Sequence, residues 1–353
     1  MSTSLLANPR WRQKVFSVHP TEYDWIDVFL YAMVRGDWAA FESRLFDGLV
    51  CTAEANESQM WADEAKVDEA ATAFRYDRDL LTTEETMEWL EQAELTLEDW
   101  TDFLSRNILR DEWSLRLPTL LERHRATVTV TDAAFAAEGL CSRVFRQFAT
   151  TLAGRAALAA TLDPTATVPP GRPFRIAKLV SQHAMWLDGV DSEDLARRLS
   201  HLSSVEAHFK AQAETLRTEQ MLALQVSRNR LDWMRVDLER LSFEDESAAR
   251  EALLCIREDG LTLEDVAVDS HQAVRDTAEI LERLEPELRD AVLSAGIDEL
   301  IGPFQIGDRF EVAMLVGKKP ANLDDSLVRA RAEEAVVENL ISKAILSHVR
   351  WVR

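Results

Sequence analysis

Glycine and proline are scarce in this chain, at 11 and 10 residues in 353, about half the usual share. So few turn-formers over such a length dictate long helices and few hairpins, which excludes an all-β architecture. At roughly 150 residues per domain the length suits about two domains. Hydrophobic residues at 46% and charged ones at 29% give a globular balance. Acidic side chains outnumber basic ones by 62 to 40, for a net charge of -22. That field repels phosphate backbones and anionic lipid, so neither nucleic acid nor a membrane surface is an expected partner. The opening MSTSLLANPRWRQKV lacks the apolar run of a secretory signal. Cys51, Cys141 and Cys255 are scattered and odd in number, which suits a reducing compartment without disulfides. The expected location is the cytoplasm.

Residues 22–50 read as one helix, with Trp25, Ile26, Phe29 and Met33 at helical spacing, and residues 54–75 as an acidic, alanine-rich one. The most legible segment follows. Thr82 with Glu85 and Thr96 with Asp99 form capping boxes, so helices start near Thr83 and Leu97. Thr127 to Thr131 is the extended lead-in to a helix at Asp132, and an apolar helix continues over Phe135 to Thr161. Asp163 to Phe174 holds four of the ten prolines and marks a joint or long loop. Asp191 with Asp194, and Ser203 with Glu206, are expected to cap two further helices, the second reaching Asn229.

The texture changes at Leu231. Met234, Val236 and Leu238 alternate at period two, as a half-buried strand requires. A helix over Ser247 to Glu258 ends at Gly260, and Thr262 with Asp265 starts a short one. A helical stretch near Glu279 to Ala295 precedes a second strand from Phe310 to Val316. Asp324 to Trp351 reads as one closing helix. The fold class is therefore mainly α with a small α+β domain. The expected division is a helical module over 1–229, the α+β domain over 230–320, and a C-terminal helix over 321–353 that packs back on the helical module.

Chemistry-bearing motifs are largely missing. No His is followed by Glu, and no Glu stands three residues before a His, so the zinc-protease and di-iron helix patterns are absent. No glycine pair has the spacing of a nucleophile elbow, a dinucleotide turn or a phosphate loop. The seven His and three Cys do not cluster in sequence, so neither metal nor cofactor is expected. Glu84, Glu85 and Glu88 lie near a helix start, where the macrodipole accounts for them.

Residues 230–320 resemble a parvulin-type prolyl isomerase domain. The resemblance runs through the strand at Trp233 to Leu238, the helix pair ending LTLEDVAVDS, the turn at Glu285 to Leu288, and Ile301-Gly302-Pro303-Phe304 with Phe310 to Val316. Residues 76–115 and 324–351 resemble the helical chaperone module of SurA-like proteins, which flanks a parvulin on both sides. The first seventy residues show no such resemblance. A subset of such proteins accompanies the maturation of ribosomally made peptides, and the expected cytoplasmic character is similar to that subset.

Active parvulins place one histidine in the opening strand, where this chain has Trp233 and Met234, and another after an aromatic in the final strand, where Phe310 is followed by Glu311. The family's glycine-rich turn is replaced by HQAVRDTA, and His271 is expected in a solvent-exposed loop. The resemblance thus implies a non-catalytic peptide-binding chaperone or carrier. Its ligand would be a peptide or unfolded polypeptide, including a precursor peptide with its modifying enzyme. The expected peptide-binding residues are Trp233, Met234, Phe304, Phe310, Glu311 and Met314, with no catalytic residue and no metal. Two alternatives stay open. One is an active isomerase with a rearranged site. The other is a scaffold that docks a modifying enzyme through Trp11, Trp25 and Trp38.

Overall fold

The computed structural model describes residue 6, residues 8–162 and residues 176–352. The proline-rich joint at Asp163 to Phe174 lies outside the described residues. Two compact units are present, residues 1–212 with 341–353, and residues 213–340. The strands are β1 (Lys14–Val18), β2 (Thr21–Asp24), β3 (Arg235–Phe243), β4 (Arg275–Ile280), β5 (Leu300–Ile306), β6 (Arg309–Lys319) and β7 (Val349–Trp351). The helices of the first unit are α1 (Trp25–Arg35), α2 (Trp38–Ser58), α3 (Glu64–Tyr76), α4 (Thr83–Gln92), α5 (Leu97–Glu112), α6 (Leu117–His124), α7 (Asp132–Cys141), α8 (Val144–Ala159), α9 (Ile176–Gln182), α10 (Ala184–Leu187) and most of α11 (Ser192–Leu216). The second unit holds α12 (Glu219–Arg228), α13 (Glu246–Asp259), α14 (Leu263–Asp269), α15 (Pro286–Ser294) and the first part of α16 (Ser326–His348). The protein is mainly α with small antiparallel sheets. Among the described residues no helix is long and apolar enough to cross a membrane.

The capping boxes at Thr82–Glu85, Thr96–Asp99 and Thr262–Asp265 are all formed, each satisfying two backbone donors that the helix itself leaves unpaired. Gly260 closes α13 in the left-handed conformation. Other expectations need correction. Residues 22–50 are not one helix. Asp24 caps α1 with Asp27, and Gly36 at φ 88 ends it before α2 begins at Trp38. Apolar spacing persists across this corner, which hides the break. The apolar stretch over Phe135 to Thr161 is likewise split, by Arg143 at φ 64, into α7 and α8. Ser203 does not start a helix: it lies buried within α11, which runs through it.

The first unit is centred on aromatic rings. Trp11, Trp38 and Trp186 are fully buried. Trp11 meets Phe135 edge-on at 5.2 Å, Phe29 lies 4.6 Å from Phe145, and Trp38 lies 5.4 Å from Trp186. Such pairs add about 0.5–1.5 kcal/mol each beyond their area burial. Two indole N–H groups are satisfied, Trp11 donating to Asp132 at 3.1 Å and Trp186 to Glu42 at 2.8 Å. Trp11 and Trp38 are therefore core residues, and only the half-buried Trp25 of the three expected anchors reaches the surface. A small antiparallel sheet of order β2-β1-β7 completes the unit, so the closing helix ends at His348 and gives way to a strand.

In the second unit the sheet order is β4-β3-β6-β5, antiparallel throughout. α15 covers one face, where Val236, Leu238, Leu288, Val292, Ile301 and Leu315 pack together. α13 and α14 cover the other, with Leu241, Phe243, Ala252, Leu253, Val266 and Val312. β4 occupies the segment that sequence reads as a loop followed by helix. It is an edge strand whose residues are mostly exposed or half-buried until Ile280, so no apolar alternation announces it.

Candidate peptide-binding site

Paired residues on neighbouring strands point to the same face, and successive residues to opposite faces. Register pairs Phe304 with Glu311, Glu311 with Ser242, and Arg240 with Arg275. One face of the sheet therefore gathers Phe304, Glu311, Arg240 and Arg275, beside the core under α15. Phe310 and Met314, one residue before and three after Glu311 on the same strand, face the other way and pack against the core under α13. Met234 and Phe304 pack against the α15-side core.

Trp233 belongs to neither face. It precedes β3, which starts at Arg235, is 1% exposed, and packs with Leu222, Val226, Ile280, Val328 and Ala332. Its Nε1–H donates to Glu282 at 3.0 Å, and Arg331 lies 5.5 Å over its ring. The six expected contact residues are thus divided among three environments, and a single extended peptide cannot lie across them all. The cause is the period-two alternation itself.

Glu311 is 6% exposed and lies between two guanidiniums. Arg275 donates to its Oε1, and Arg240 Nη1 stands 3.6 Å from Oε2. Arg240 is 8% exposed, and its Nε and Nη2 find no hydrogen-bond partner in the protein. Close by, Arg309 donates to the hydroxyl and carbonyl of Ser242 at 3.0 and 3.2 Å. Neither Arg240 nor Arg275 is among the residues that sequence reasoning singles out. The available signal is that Arg240 and Ser242 continue the strand face that Val236 and Leu238 begin as apolar. Gly302 seats β5 against this cluster. It sits at φ 120, and a Cβ there would stand 2.9 Å from the Glu311 carbonyl oxygen. His271 is exposed in the turn after α14, its ring nitrogen 3.2 Å from the Val268 carbonyl.

In the first unit, Glu54, Glu57 and His124 place one ligand atom each within 4.8 Å of one another. Glu54 is already engaged by Arg116 at 3.2 Å, Arg123 at 2.9 Å and His124 at 2.9 Å. The hydrogen bond with His124 leads in holding the Glu54 carboxyl below the usual carboxylate range. A dication at this point would face two guanidiniums, so the arrangement reads as an ion-pair network.

No protein-family model matches the chain, and no curated protein matches it. Solved structures similar to it include the foldase PrsA of Streptococcus pneumoniae, at TM-score 0.29 and 12% identity over 57% of this chain and 83% of that one. The peptidylprolyl isomerase PrsA of Bacillus anthracis gives TM-score 0.30 and 14% identity over 57% and 96%. A structure from a study of two related SurA-like chaperones of Campylobacter jejuni gives TM-score 0.20 and 8% identity over 96% and 99%. The neighbours are foldases and chaperones. All three scores are low, and the likeness decides nothing about this chain's chemistry.

Proposed function

We propose that this protein is a peptide-binding, chaperone-like relative of the parvulin foldases that has no prolyl isomerase activity. The observation behind the reading is the buried Arg240 and Glu311, joined by the exposed Arg275, on the sheet face. Prolyl rotation faces a barrier of about 20 kcal/mol, lowered when donors are placed against the twisted imide. An ionised carboxylate donates nothing, and Glu311 accepts from Arg275 and faces Arg240 as an ion pair, its Oε2 without a hydrogen bond. The unpartnered Arg240 nitrogens have no solvent-exposed surface, so a substrate imide has no access to them. What the face offers instead is the half-buried side chains of Met234, Phe304 and Ile306 and the exposed guanidinium of Arg275. Met and aromatic side chains give adaptable contact to extended polypeptide. The ligand class is an unfolded polypeptide, with a precursor peptide undergoing maturation as the proposed natural case and its modifying enzyme as the proposed partner, in the cytoplasm.

Fluorescence anisotropy of a labelled, permanently unfolded polypeptide tests the binding. Saturable binding that Phe304→Ala weakens by about tenfold is expected. No binding at any accessible concentration would remove the reading.

A further inference from the structure

We propose that the helix-covered side of the second unit carries a separate docking groove for a basic, apolar peptide segment. The inference goes beyond the proposed function, since the groove lies on the opposite side of the sheet from Glu311. α13, α14 and the end of β3 enclose a cleft of about 460 Å³. Phe243, Ala252 and Val266 line it with apolar side chains, and Leu261 sits exposed at its edge. Around this apolar lining stand the exposed carboxylates Glu244, Glu251 and Asp269. Among the described residues none of these three forms an ion pair, and no Lys, Arg or His is among the residues lining the cleft. Nearby, Glu246, on the same helix as Glu251, is paired with Arg250.

An apolar cleft rimmed by uncompensated negative charge is complementary to a segment in which aliphatic residues alternate with Lys or Arg. The aliphatic side chains fill the cleft while the cations reach the rim. An acidic segment with the same apolar residues is rejected by like charge. Cys255 lines the cleft and is half-buried, whereas Cys51 and Cys141 are buried, with their thiols pushed up by burial to about 11 and about 12. Alkylation by a maleimide therefore reports on this cleft.

The test uses the full chain and two fluorescein-labelled dodecapeptides, one alternating Leu with Arg and the other Leu with Glu. The Arg peptide is expected to bind at least about tenfold tighter, to weaken as salt is raised, and to slow Cys255 alkylation. The doubly reversed variant Glu251→Lys with Asp269→Lys, at exposed positions, is expected to lose the Arg peptide and gain the Glu peptide. Phe304→Ala is expected to change neither result. Equal affinity for the two peptides would overturn the proposal, as would binding that leaves Cys255 unprotected. Loss of the Arg peptide in Phe304→Ala would also overturn it, while leaving peptide binding at the sheet face intact.

Discussion

Glu311 illustrates how one side chain can fix both the electrostatics and the chemistry of a surface. Buried beside Arg240 and bonded to Arg275, it neutralises charge that the sheet could not otherwise hold. Glu311→Ala removes that compensation and leaves a buried arginine unpaired, so a loss of about 3–5 kcal/mol is expected in urea unfolding. The double replacement Arg240→Met with Glu311→Leu restores much of it, because a buried ion pair often contributes no more than well-packed apolar groups. If the double variant were no more stable than Glu311→Ala, the cluster would not be the self-contained ion group described here. Asp27 gives a second residue-scale prediction. Burial, with Asp24 beside it, raises its carboxyl from 3.8 to about 6, against the opposing pull of Arg198. A raised carboxylate favours the folded state most at pH values below its unfolded pKa, and that advantage is lost as pH rises through about 6. Comparing wild type with Asp27→Asn between pH 4 and 7.5, the wild type alone should lose on the order of 2 kcal/mol. Parallel pH profiles would contradict the assignment.

Gly139, in α7, faces Phe145 at the start of α8, and a Cβ added there would stand 2.2 Å from the ring. Gly139→Ala is expected to cost about 1–3 kcal/mol by overpacking, read as a lowered thermal midpoint, although alanine is the better helix former. A neutral or stabilising outcome would show that the α7–α8 corner yields easily. Legibility follows the same local physics. Thr82, Thr96 and Thr262 announce their helices because a capping box is contained within four residues. The left-handed turns at Gly36 and Arg143 are legible only afterwards, because apolar spacing continues on either side of each. β1, β2 and β7 are short and depend on one another across the whole chain, so nothing local marks them. For the site, alternation turns Phe310 and Met314 away from Glu311 but cannot say whether Phe304, on another strand, shares its face. Register decides that. Trp233 misleads for a related reason. Its position before Met234 suits a strand, yet its indole belongs to the core between α12 and α16. Trp233→Ala should cost about 3–5 kcal/mol and is unsuited to probing ligand binding.

At the scale of the molecule, the role proposed above is to hold chains rather than to turn them over. Trp11 and Trp38 lie in the core of the first unit, which leaves the scaffold alternative with Trp25 alone of its three expected anchors. The second unit holds a four-stranded sheet between helices, with Glu311 paired to arginines on one face. The most direct measurement is a protease-coupled assay of cis-to-trans conversion in a proline tetrapeptide, run across a series of protein concentrations. A conversion rate that stays at the uncatalysed value at every concentration is the predicted result. A rate that climbs in proportion to added protein would show that the protein rotates the prolyl bond, and would contradict the account.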